Sequence, residues 1–301
     1  MEKNRASSFR SFITSLRKAY TLLRRNDPLI LASSTAFFAT FSLSPIIVIL
    51  VNVFGLYFKS EQIRKQLFEK LQTTVGPYAT EEIEKIVHNF MAVTESPWIA
   101  IGGFVFLLFV ATTLLGIIRK AIHQLWYIRR KSSVRIQYGI KERMIGIGML
   151  LFLGLLFLVA LLLDASVAVI REHFPDVNTA WIRFMNILFS LLVVTAWFTG
   201  VFKILPEARV KWKVALAGGL LTAVLFSIGK LILGKLLVES NLQTLFGASA
   251  SIALLLLFIF YSALMMYYGA AFTHVYAEAI RQPIQAGRYA DEYEKRVVQH
   301  S

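Results

Sequence analysis

Four ionisable side chains, Asp164, Arg183, Lys230 and Lys235, stand inside long apolar runs, where an unpaired or dehydrated charge is costly. On helices rising about 1.5 Å per residue, Arg183 lies about 3 Å, Lys235 about 5 Å, Asp164 about 9 Å and Lys230 about 12 Å from the less basic ends of their runs. Arg183 and Lys235 are shallow enough to snorkel to a membrane interface. Lys230 is too deep for that, and Asp164 is close to it in depth. A pair between Asp164 and Lys230, beside Asn186 of another run, would either line a polar cavity open to the outer face or tie helices together as a structural ion pair.

Other chemistry lacks the residues to carry it. The five histidines, His88, His123, His173, His274 and His300, show no HExxH or other metal-ligand spacing, and there is no GxSxG, Walker or dinucleotide pattern. Cysteine is absent, which removes disulfides, thiolate nucleophiles and zinc-thiolate sites. The expectation is a protein with no catalytic residue, no metal and no cofactor, not an enzyme, whose transport would be passive or ion-coupled.

The elements that must position these charges are six apolar runs, approximately Leu29 to Phe58, Pro97 to Ile118, Met144 to Ile170, Trp181 to Leu205, Val214 to Val238 and Gly247 to Phe272. Each exceeds the roughly 20 residues a helix needs to cross a bilayer core. A mean hydropathy of +0.61 fits a membrane protein and not an ordinary soluble domain. Of 32 Lys and Arg, 23 fall in residues 1 to 28, 119 to 143, 203 to 213 and the tail, against 6 in the three alternating segments. The retention of cations on the cytoplasmic side therefore predicts six crossings with both termini inside, an all-α multi-pass protein. The same flanking pattern explains the net charge of +14 without nucleic acid, for which no module is present.

Three parts follow: a cytoplasmic amphipathic segment over 1–28, a transmembrane domain over 29–272 and a cytoplasmic tail over 273–301. Phe9, Phe12, Ile13, Leu16, Tyr20 and Leu23 form a stripe that either lies in the inner leaflet or packs on the spans. Asp27 with Pro28, and Ser96 with Pro97, read as helix starts. Pro45 should bend the first span, its neighbouring hydroxyls satisfying freed backbone groups or lining a wet path. Residues 59–96 predict a small external helical cap. Arg129, Arg130 and Lys131, closely after Trp126 and Tyr127, either contact lipid headgroups or serve topology alone. Gly218, Gly219, Gly229 and Gly234 predict close helix contacts, and Tyr261, Tyr267 and Tyr268 either line a cavity or pack.

In order, the patterns DPLILASSTAFFATFSLSPIIVI, IHQLWYIRRKSS, LPEARVKW, LFSIGKLILGK and FGASASIALLLLFIFY followed by GAA resemble those of the YihY/BrkB family of bacterial inner-membrane proteins, from about Asp27 to Glu278. On that resemblance Pro45, Pro206 and Lys230 match family positions. His123 stands where relatives often have asparagine, and Ala271 where they have an acid, leaving Glu278 or no residue at all for ion coupling. Relatives have carried labels of ribonuclease and serum-resistance factor, but the clustered acids or metal ligands a ribonuclease needs are absent here. The resemblance implies a transporter or lipid-translocating protein of the bacterial inner membrane with an unknown small solute or lipid as substrate, membrane lipids as partners and room for oligomers. The alternative is a non-transporting scaffold or envelope-assembly partner. A water-accessible cavity reaching Lys230 would favour the first, a sealed, lipid-tight bundle the second.

Overall fold

Asp27 turns the chain between the first two helices, its carbonyl accepting from the amides of Ile30 and Leu31 at 3.0 and 3.2 Å. The computed structural model describes residues 2–55, 97–131, 135–173, 179–239 and 248–293, with isolated positions between 65 and 88. The helices are α1 (Glu2–Arg24), α2 (Pro28–Gly55), α3 (Pro97–Leu125), α4 (Arg135–His173), α5 (Thr179–Ile204), α6 (Trp212–Glu239) and α7 (Ala248–Ala279). Four very short strands join them: β1 (Ile128–Arg130), β2 (Ala208–Arg209), β3 (Gln285–Ala286) and β4 (Ala290–Glu292). The class is all-α, as the apolar runs require.

Each helix from α2 to α6 packs on the next, α6 packs on α7, and α7 packs back on α2. The six form a closed ring, with α7 also touching α3 and α5. Large apolar side chains such as Phe106, Phe109, Leu151, Ile187, Leu220 and Leu231 face outward, Leu231 at 71% exposure. So much apolar surface around the whole perimeter needs hydrocarbon, not water, beside it. Five helices carry stretches long and apolar enough to cross a membrane: Val105–Leu125, Lys141–Ala160, Phe184–Ile204, Trp212–Ile232 and Leu255–Ala279. Among the described residues α2 offers only the shorter apolar stretch Pro28–Leu43. The protein is thus multi-pass, with five full-length spans among the described residues where six crossings were expected.

The four basic segments meet at one end of the ring. There β1 pairs antiparallel with β4 and β2 with β3, joining the chain after α3 and the turn between α5 and α6 to the segment after α7. The segment from 273 is not a loose tail at its start: α7 runs on to Ala279 with Thr273 and Ala277 buried. α1 lies against that extension, Phe12 meeting the rings of Phe272 and Tyr276 at 5.1 and 6.4 Å, and Tyr268 donating to the Leu16 carbonyl at 3.0 Å. Ala19 and Leu23 are buried on the same face, while Ile13 and Tyr20 are exposed. The expected apolar stripe therefore divides, one side packing on α7 and the other left open next to Arg17 and Arg24.

α2 stays helical through Pro45. The hydroxyls around it mostly bond helix carbonyls, Thr40 to Ala36 at 2.9 Å and Ser42 across to Val110 of α3 at 3.4 Å, which is the packing role rather than a wet path. The cap over 59–96 lies mostly outside the described residues; within it Lys85 pairs with Glu81 at 2.9 Å one turn apart, and Phe68 is buried in the core. Ser96 also lies outside them, and α3 begins at Pro97 as expected.

The tightest contact is the crossing of α6 and α7. Gly218 lies under Thr273 and Gly269 under Thr222, so that a Cβ at either glycine would collide with the opposing hydroxyl. Each threonine donates to the carbonyl of its own helix's glycine, Thr222 to Gly218 at 2.8 Å and Thr273 to Gly269 at 2.7 Å. The hydroxyls are thereby satisfied inside the contact instead of being stranded in hydrocarbon. G218A or G269A should lower stability in detergent by about 1–3 kcal/mol through overpacking. By contrast G148A, where nothing lies within 4 Å, should be neutral or stabilising, both read as shifts in thermal denaturation.

Candidate functional site

A cavity of about 480 Å³ lies inside the ring, lined from all six helices. Its walls are nearly all apolar, among them Leu114, Leu156, Trp197, Phe226, Phe258 and Met266. The few polar groups are tied up: Thr35 shares a hydrogen bond with the buried hydroxyl of Tyr267, and Ser262 donates to the Phe258 carbonyl at 2.7 Å. At about 1.5 Å per residue, the lining runs from roughly 10 Å below the basic end, at Ile118 and Trp197, to roughly 30 Å, at Ala160 and Phe258. The volume lies within the range of about 300–1,000 Å³ typical of small-molecule pockets.

The residues singled out from sequence stand just beyond the far end of this lining. Lys230, half-buried and with an interaction partner, follows Phe226 by one helical turn on α6. Asp164 follows Ala160 by one turn on α4, and Asn186, which is exposed, precedes Val193 by two turns on α5. The side chains of Asp164, Arg183 and Lys235 lie outside the described residues. Tyr267 backs the cavity through Thr35, whereas Tyr268 anchors α1 and Tyr261 donates to the Leu225 carbonyl at 3.2 Å beside Gly229.

On the basic side the apolar lining gives way to a polar clasp that sequence reasoning missed. Arg119, 2% exposed and one residue beyond Ile118, donates through Nε to the Leu205 carbonyl at 2.8 Å and pairs with Glu142 at 2.9 Å. One turn on, His123 Nε2 accepts from the Glu207 amide at 2.9 Å, which requires that nitrogen to be unprotonated. The Glu207 carboxylate pairs with Lys141 at 2.6 Å, and its carbonyl accepts from Gly287 at 2.9 Å. Trp126 closes the layer by donating to the Ala270 carbonyl at 2.8 Å. α3, α4, the turn after α5 and the segment after α7 are thus fastened at one level. The signal was present but faint: an Arg and a His one turn apart at the end of an apolar run, and Glu207 as the single acid among the four cations of 203–213.

Of the basic triplet after Tyr127, Arg129 and Arg130 are exposed and Lys131 pairs with Asp291 of the adjoining β4 at 3.3 Å. Ala271, at the position where the resemblance implied an acid, is fully buried, and Glu278 lies 3.5 Å from His274 Nε2. Among the described residues no three His, Asp or Glu side chains gather as a metal site.

The family model described as "Virulence factor BrkB" matches residues 19–293. A UPF0761 membrane protein of Saccharophagus degradans is 24% identical over 250 residues, covering 82% of this chain and 56% of the relative. One of Pseudomonas aeruginosa (strain LESB58) is 27% identical over 252 residues, covering 79% and 57%. One of Haemophilus influenzae (strain 86-028NP) is 22% identical over 243 residues, covering 79% and 86%. The chain thus spans little more than half the length of the first two. No solved structure matches it.

Breaking one arm of the clasp should cost more than removing the pair. E142A, which strands the buried Arg119 guanidinium, is expected to lower stability by about 3 kcal/mol, and the double variant R119M/E142L to recover most of it. H123Q, able to present an acceptor at similar reach, should melt near the parent temperature, and H123A about 1–3 kcal/mol below it, in detergent denaturation.

Proposed function

The chain belongs to the virulence factor BrkB family and is an integral membrane protein, and within that frame we propose that it translocates an amphipathic, lipid-like substrate across the bacterial inner membrane. The observation that carries the proposal is the apolar cavity inside a ring of helices, with a charged clasp beyond one end of its lining. An apolar cavity accepts hydrocarbon readily and a fully hydrated ion poorly, since it offers almost no groups to replace lost water. Lys230 and Asp164, one turn past the lining, would meet the polar part of the substrate at the far mouth.

The basic end is cytoplasmic in this proposal, by the excess of cations there, and α2 makes the sixth crossing, its place in the ring matching that of the full-length spans. With no nucleotide-binding pattern in the chain, the movement is passive or ion-coupled. The reaction is one of passage, and no bond-making step is assigned.

Fluorescent lipid scrambling and ion flux should be measured in proteoliposomes. The parent is expected to scramble lipid, A160W to slow it by blocking the cavity, and K230M to slow it without loss of folding. Absent scrambling by folded protein, or rates unchanged by both substitutions, would refute the reading. Because the chain has no cysteine, single replacements report topology directly. R130C should react with an impermeant thiol reagent only from the cytoplasmic side, and K65C only from outside.

A further inference from the structure

At the basic end, a groove of about 690 Å³ separates the turn between α5 and α6 from the turn after α7. Lys203, Arg209, Lys211 and Arg281 line it, and no carboxylate does. Pairing of β2 with β3 holds the two turns together. Lys203 is occupied, donating to the Val210 carbonyl and lying 5.3 Å from the Trp212 ring centre. Arg209, Lys211 and Arg281 are exposed and make no ion pair among the described residues.

Two backbone features add to the imbalance. α6 starts at Trp212 on the groove's rim with no acid in its first turn, so its positive dipole end joins the cations instead of being offset. Arg281 is held at φ 56° in the cap of α7, where the Gln282 amide closes on the Ala277 carbonyl at 2.8 Å. Glycine normally fills that left-handed position, so a strained backbone here carries a guanidinium. Beside it Gln282 Oε1 is buried with no hydrogen-bond partner.

Like charges gathered at a helix start repel one another unless an anion lies among them. The groove is larger than a lone phosphate needs, and its surroundings are interfacial: Ile204 and Trp212, where two spans end, are 45% and 60% exposed. We infer that this groove binds the phosphate of an anionic phospholipid of the inner leaflet. The acyl chains lie along α5 and α6. The site is separate from the cavity, and its occupancy does not require that the protein translocate anything.

Delipidated full-length protein in neutral detergent tests this with three probes: phosphatidylglycerol, phosphatidylcholine and inorganic phosphate. Phosphatidylglycerol should raise the melting temperature and bind, phosphatidylcholine should do neither, and millimolar phosphate should fail to displace the lipid. R209Q/K211Q should weaken phosphatidylglycerol binding by at least about ten-fold. R281G should weaken it too while keeping or raising the melting temperature of the lipid-free protein, since glycine suits the backbone there. R129Q/R130Q should leave binding intact. Equal binding of phosphatidylcholine, displacement by inorganic phosphate, or loss with R129Q/R130Q but not with R281G would each overturn the assignment.

Discussion

The distance between α6 and α7 sets the rest of the structure. α7 touches α1, α2, α3, α5 and α6, so the ring can close only if its backbone comes very near one neighbour. In hydrocarbon there is no hydrophobic gain from bringing two apolar helices together; close van der Waals contact and satisfied hydroxyls must supply the attraction. The reciprocal Gly218–Thr273 and Gly269–Thr222 contacts provide both. From that seam α7 reaches α2 through Tyr267 and Thr35, and α1 through Tyr268 and Phe272.

Closing the ring leaves a space inside it, lined along the middle of the bundle by side chains of α4, α5 and α7 among others. The two ends of that space differ in kind. At the basic end, buried Arg119 and His123 answer carbonyl, carboxylate and amide groups of Glu142, Leu205 and Glu207. In a low-dielectric layer such bonds are strong when complete and costly when half-made, so the clasp fixes one arrangement of four chain segments. Toward the far end the lining is apolar, and the polar positions 164, 186 and 230 come only after it.

Much of the fold was legible because the bilayer imposes it. Helix starts at Pro28 and Pro97, the apolar runs and the gathering of basic segments at one end all follow from local composition and from the cost of bare backbone or charge in lipid. Gly218 predicts a close contact by its type and place, but its partner Thr273, 55 positions away, carries no mark in the sequence. The site was less legible. Lys230 and Asp164 are conspicuous in the sequence as charges within apolar runs, and neither is among the residues lining the cavity. The clasp was overlooked because Arg119, Glu142 and Glu207 sit at the ends of runs, where cations and acids are ordinary.

By itself, then, the sequence determined which stretches are helices in lipid and which connections share an end, because these depend on each segment's own transfer energy. Tertiary structure alone decided that the helices close into a ring around an apolar cavity, that Lys131 is matched by Asp291 while no acid among the described residues pairs with Arg209, Lys211 or Arg281, and that His123 meets Glu207. Those outcomes depend on which surfaces face each other, and pairwise contact between residues far apart in the chain is written in no single segment.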